Sequence, residues 1–148
     1  MKVGEIMFQR CAAMAAVLFS AQIAFPASEV ADAAMHRDTA RLQQLLRDKN
    51  DVNASQPDGT TALHWAARLD DIEMVGTLIQ AGASPVTANR FGVTPLKLAC
   101  INGNAAMVER LLKAGAGVNT PFSEMGETPL MMAARTGNPA AVKVLLER

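Results

Sequence analysis

Gly59-Thr60-Thr61-Ala62-Leu63-His64-Trp65-Ala66-Ala67 returns as Gly92-Val93-Thr94-Pro95-Leu96-Lys97-Leu98-Ala99-Cys100, and again as Gly126-Glu127-Thr128-Pro129-Leu130-Met131-Met132-Ala133-Ala134. The offsets are 33 and then 34 residues, a self-similarity that belongs to stacked repeat architectures. Leu78-Ile79, Leu111-Leu112 and Leu145-Leu146 keep the same offsets, and 33 residues further back stand Leu45-Leu46. Ala81-Gly82-Ala83 and Ala114-Gly115-Ala116 form a third column. Three columns in one register divide the chain into units at 59–91 and 92–125, a truncated unit at 126–148, and a degenerate N-terminal unit at 28–58.

Each column has a mechanical meaning. Thr61, Thr94 and Thr128 offer side-chain oxygens to the free amides of a helix start, and Pro95 and Pro129 fill the first helical position, where no amide is needed. Leu63, Leu96 and Leu130 begin an apolar face, and the small pairs after them let neighbouring backbones approach closely. Asp38, Asp71, Asn104 and Asn138 then stand ready to cap a second helix. In that helix Leu42, Val75, Val108 and Val142 precede the Leu pair by three, the stripe of a half-buried helix. Gly82 and Gly115 supply the left-handed conformation that ends it. Polar, turn-rich stretches such as Ser55-Gln56-Pro57-Asp58-Gly59 predict exposed hairpins between units. In the first unit Ser28 is the expected cap, and Asp32, Arg37, Arg41 and Arg47 give the wetter outer face that the end of a solenoid needs.

This arrangement is similar to the ankyrin repeat, and Thr61-Ala62-Leu63-His64-Trp65-Ala66 matches that family's T-P-L-H-x-A core. The resemblance spans about residues 28–148. Lys97 and Met131 depart from it where the family often has His, and the finger leading into the third copy holds one extra residue, around Pro121–Met125. It implies an all-α solenoid of about four helix-turn-helix units with hairpin fingers. It also implies that a protein or peptide is bound by the finger tips and the exposed side of the first helices. Transferred by register, that surface comprises Ser55, Pro57, Asp58, Thr60, Arg68 and Leu69 of the first full unit. The second adds Arg90, Phe91, Val93, Ile101 and Asn102. The third adds Phe122, Glu124, Met125, Glu127, Arg135 and Thr136. Phe91, Phe122 and Met125 are unusual on polar fingers. Either they fold back onto a neighbouring unit, or they form an apolar patch flanked by Arg68, Arg90 and Arg135 that suits a protein partner. Trp65 is open to the same two readings.

Composition narrows the alternatives. The 148 residues carry 14 basic and 14 acidic side chains, are 50% hydrophobic, and include one Trp, five Phe and no Tyr. The 27 alanines and the few aromatic or β-branched residues argue against a β-sandwich or barrel. The apolar content excludes a disordered chain, and the neutral charge balance argues against a nucleic-acid partner.

The start of the chain reads differently. Lys2 and Arg10 precede an uncharged run from Cys11 to Phe25. As a helix it would rise about 22 Å, short of the roughly 30 Å hydrocarbon core, so residues 1–27 read as a signal peptide cleaved near Ala27. Export to the periplasm or beyond is therefore expected, with membrane contact only through the leader; an uncleaved tether is the alternative. At the other end Val142, Leu145 and Leu146 belong to a unit without a successor or polar cap, an edge expected to be covered by further repeats or another chain.

Signs of catalysis are few. No HExxH, Cys-x-x-Cys, P-loop or Gly-x-Ser-x-Gly motif occurs, so no cofactor, metal or catalytic residue is assigned. His64 is expected to bond around a helix start, and His36 to sit exposed in a turn. Asp70, Asp71 and Glu73 suit a cap and a favourable charge at a helix N-terminus rather than a cation site. Cys100 occupies an Ala position of a core-facing helix and reads as a small buried hydrophobe. The functional expectation is a protein-interaction module without chemistry of its own. The alternative is the scaffold of a longer exported enzyme or ligand binder whose active part lies beyond Arg148.

Overall fold

The computed structural model describes residues 28–122 and 126–148; the leader reading of 1–27 and the finger residues Glu124 and Met125 lie outside them. Among the described residues eight α-helices alternate with turns and fingers: α1 Glu29–Met35, α2 Thr39–Arg47, α3 Ala62–Arg68, α4 Ile72–Gln80, α5 Pro95–Asn102, α6 Ala105–Lys113, α7 Pro129–Thr136 and α8 Pro139–Leu146. They form four helix hairpins. The first helices stack in one layer, α1 on α3, α3 on α5 and α5 on α7, while α4, α6 and α8 stack behind them. This is the all-α solenoid of helix hairpins that the resemblance implies.

Local chemistry starts the helices where the columns place them. Ser28, Asp38, Asp71, Thr94, Asn104, Thr128 and Asn138 each accept an amide of the first turn through a side-chain oxygen. In α3 the cap is reciprocal, pairing Thr61 with His64 at the third helical position. Asp70 ties two units, its carboxylate accepting the Asn104 side-chain amide at 2.8 Å.

Two left-handed columns close the helices. Gly82 and Gly115 follow α4 and α6 with φ of 91° and 103°, as expected, and Lys49 occupies the same register after α2 with φ 58°. The other column lies between the helices of each hairpin, at Arg37, Asp70, Gly103 and Gly137, with φ of 56°, 58°, 69° and 71°. It is not evident in the sequence, because only half of its members are glycine.

The core is one continuous apolar layer between the two helix stacks. It is built from Leu42, Leu63, Val75, Leu78, Leu96, Met107, Val108 and Leu111, with Ala66, Ala67, Ala99 and Cys100 where backbones meet. Asparagine side chains tie successive units across polar edges. Asn53 accepts the Ser84 amide at 2.7 Å and donates to the Gly82 carbonyl at 3.1 Å. Asn138 donates in the same way to the Gly103 carbonyl.

Phe122 corrects one reading of the fingers. It is only 4% exposed, joins the core, and lies beneath the Lys97 ammonium, 5.7 Å from its ring centre. Its amide bonds the Glu127 carbonyl at 2.7 Å, which closes the base of the finger over the ring. Phe122 therefore cannot serve an exposed patch. At the far end Leu146 is 68% exposed, while its register equivalents Ile79 and Leu112 are partly buried against the core. The α5–α6 pair is covered by α7 and α8, and no described residue covers α7 and α8 in turn.

Candidate functional site

Between the first two full units, on the finger side, lies a cleft of about 280 Å³ lined by Asp58, Thr60, His64, Trp65, Arg68, Asn89, Phe91, Val93 and Leu98. The two fingers form one wall. Ser55 and Thr61 make an antiparallel bridge, and the Gln56 amide donates to the Thr60 carbonyl at 2.8 Å. Within that hairpin the Asp58 carboxylate accepts the Thr60 amide at 2.9 Å and its hydroxyl at 2.8 Å. These bonds favour the ionised form and hold its pKa below the ordinary value. The main-chain carbonyl of Asp58 receives the Arg90 amide at 2.8 Å, and Asn89 donates to the Thr60 hydroxyl at 3.3 Å. These bonds tie the two fingers together.

Asn89 builds the second finger. Its side-chain oxygen accepts the amides of Phe91 and Val93, each at 3.0 Å, a turn in which a short polar side chain stands in for backbone. The turn leaves Phe91 on its crest, 74% exposed. On the opposite wall the Trp65 indole donates to Gln56 Oε1 at 2.9 Å, and Gln56 Nε2 donates to Asp32 at 2.7 Å. Trp65 is thereby held half-buried with one face towards Arg68, whose guanidinium carbon is 5.5 Å from the ring centre.

His64 forms the floor. The Thr61 amide reaches Nδ1 at 3.2 Å, and the Thr61 hydroxyl lies 2.8 Å from the same nitrogen. An amide can only donate, so Nδ1 is the acceptor; the proton sits on Nε2 and is donated to the Val93 carbonyl at 2.9 Å. Burial lowers the pKa of the ring below 6.5, and the neutral tautomer couples one unit's helix start to the next unit's finger. Both nitrogens are engaged, which leaves no proton to relay. Burial also pushes the Cys100 thiol up to about 12, so it remains a thiol at neutral pH. Among the described residues no cluster of His, Cys, Asp or Glu is arranged to hold a metal ion.

The expected surface is thus partly assembled. Asp58, Arg68, Phe91 and Val93 converge on the cleft, and Arg90 is exposed beside it. Thr60 is there too, but buried, with its hydroxyl bonded to Asp58; it shapes the finger rather than offering itself to a partner. Leu69 is half-buried, and its carbonyl takes a bond from Arg37 at 2.9 Å. Asn102 is exposed, yet its amide donates to the Ala67 carbonyl at 2.9 Å, so it acts as a tie between units. Ser55, Pro57, Ile101 and Thr136 are exposed, and Arg135 pairs with Glu127 at 3.0 Å. Asn89 and Leu98 escaped the sequence reading. The spacing of Asn89 before Phe91-Gly92 carries a turn signal that could have found the first; Leu98 carries none.

The hairpin stack and its finger-lined cleft define a repeat-type recognition scaffold, and the family model for ankyrin repeats (three copies) matches residues 30–121 and 85–148. The chain belongs to the ankyrin-repeat family. Ankyrin repeats are generally protein-interaction modules and typically non-catalytic. Among similar proteins, the palmitoyltransferase AKR1 of Lachancea kluyveri is 36% identical over 49% of this chain and 10% of its own length. The tyrosine-protein kinase Shark of Drosophila melanogaster is 40% identical over 57% of this chain and 9% of its own. The RelA-associated inhibitor of Mus musculus is 32% identical over 59% and 11%. The chain spans about a tenth of the length of these relatives.

Proposed function

We propose that this chain is an exported protein-interaction module that binds a protein or peptide through the cleft between its first two full units, without catalysis of its own. The observation that carries this reading is Phe91. Its large aromatic ring is held in solvent by a built turn at the rim of a cleft that Trp65 and Arg68 also line, next to the exposed Arg90 in the chain, whereas Phe122 at the base of the next finger is buried. Aromatic and Arg side chains around a partly desolvated pocket are the usual anchors of protein interfaces. The charge balance of residues 28–148, with Lys2, Arg10 and Glu5 excluded, is 12 basic to 13 acidic, which supports a protein rather than a nucleic-acid partner.

A photocrosslinking amino acid at position 91, compared with one at the exposed Gln80, tests this reading in the producing cells. Protein adducts from position 91, lost on Arg68→Ala, are expected. Equal adducts from both positions, or none, would defeat it. Export rests on the leader pattern, and cleavage near Ala27 predicts a mature chain beginning at or near Ser28. Mass spectrometry that finds the intact Met1 terminus would overturn it.

A further inference from the structure

We propose that the cleft recognises an acidic–apolar peptide segment, one aliphatic or aromatic side chain with a carboxylate close to it in sequence; this rests on the reading of the cleft as the binding surface. The cleft, at about 280 Å³, falls below the roughly 300–1,000 Å³ of pockets that enclose drug-sized ligands. It suits a single side chain. Trp65, Phe91, Val93 and Leu98 give it apolar walls, which select the character of that side chain.

Charge then selects its neighbour. The carboxylate in the cleft, Asp58, is turned onto the Thr60 amide and hydroxyl, so its acceptors are engaged within its own finger. The cations are not engaged in that way. Lys113, Lys143, Arg41 and Arg135 each have a carboxylate within 4 Å, but among the described residues neither Arg68 nor Arg90 has one. Arg68 stands over Trp65, which holds the guanidinium at the cleft by cation–π attraction and leaves its N–H fork open to an incoming anion. Arg90 is exposed at the adjoining finger, its backbone fixed by the bond to Asp58. An open cation, Arg68, therefore lines an apolar slot, with a second, Arg90, exposed on the adjoining finger, the complement of a carboxylate beside an apolar side chain.

Trp65 is the chain's only tryptophan and lines the cleft, so its emission reports occupancy directly. A phage-displayed random dodecapeptide library is selected on the immobilised 148-residue chain, and a Trp-free synthetic peptide from the enriched set is titrated against Trp65 fluorescence. Enriched peptides are expected to carry Asp or Glu within three residues of Leu, Ile, Met or Phe, and to shift the emission saturably. Arg68→Gln is expected to weaken binding about tenfold, as loss of one charge-assisted contact would. A peptide with its acid replaced by Lys is expected to bind Arg68→Glu better than wild type. Far-ultraviolet circular dichroism confirms that each variant is folded, and Arg90→Gln replaces any Arg68 variant that is not. Enrichment without an acidic preference, or equal affinity for wild type and Arg68→Gln, would overturn the proposal. In either case crosslinks from position 91 would leave the binding reading standing, and their absence would remove that as well.

Discussion

His64 gives the sharpest test of how the units are coupled, because one ring serves two of them. Substitution by Ala removes the acceptor for the Thr61 amide, one half of a capping box worth about 1 kcal/mol. It also strands the Val93 carbonyl, whose lost hydrogen bond costs about another 1 kcal/mol, with a further penalty of about 1 kcal/mol if no water replaces it. The ring is buried, so a cavity adds to this, and the total is about 3 kcal/mol or somewhat more. For a domain of this size that lowers Tm by roughly 10 °C. Urea unfolding of wild type and His64→Ala at pH 7.5 measures the difference.

The same geometry fixes a pH dependence. Burial disfavours the charged ring and lowers its pKa from the ordinary value, and a protonated ring would also carry a hydrogen on Nδ1 directed at the Thr61 amide, so the folded state favours the neutral form. The unfolded chain then binds more protons in the acid range, and stability rises with pH there. The His64 contribution is complete above about pH 6.5 and declines as pH falls from there through the lower folded-state value. The stability gap between wild type and variant should therefore narrow between pH 7.5 and 5.5. A loss under about 1 kcal/mol at pH 7.5, or a gap that does not change with pH, would refute the coupling.

Four further outcomes follow from particular residues. Lys49→Gly should stabilise the chain by about 0.5–1 kcal/mol in urea unfolding, because a left-handed φ costs a non-glycine residue more than glycine loses in chain entropy. Phe122→Ala should cost about 3 kcal/mol or more as a core truncation, whereas Phe91→Ala should fall within about 0.5 kcal/mol of wild type, as surface changes do. Cys100 should resist a thiol reagent such as dithionitrobenzoate in the folded chain at pH 8 and react stoichiometrically once unfolded, since burial keeps it protonated and out of reach. Hydrogen exchange on a dilute sample of the 148-residue chain should show α8 opening before α4 or α6, because among the described residues none covers Leu146; uniform protection would contradict it.

The sequence was legible wherever a residue acts within its own unit. A helix cap needs only the amides two or three residues ahead, so Thr94, Asp71, Asn104 and Asn138 announce their helices by themselves. The Leu and Val stripes set the buried face of each helix through periodicity alone. Gly82 and Gly115 mark helix ends because glycine bears a left-handed φ at little cost. The complementary column, at Arg37 and Asp70, stayed hidden for the same reason: the turn between packed helices imposes the conformation on whatever residue stands there.

What the chain by itself determined, then, is the repeat, the helix pairs and which residues fall on the fingers and first helices. The stack alone decided which of those surface residues are available. Phe91 and Phe122 are both finger phenylalanines, yet the Asn89 turn holds one on its crest in solvent, while the other stands at its finger's base, where Lys97 and the bond to Glu127 bury it. Thr60 and Asn102 look like surface groups in sequence and are spent on bonds within a finger and between units. His64 shows its cap locally and its second partner only when the next finger arrives 29 residues later. Each of these outcomes depends on atoms contributed by a neighbouring unit or by the far side of a turn, and a linear pattern of residue types does not encode the direction in which a side chain leaves its finger.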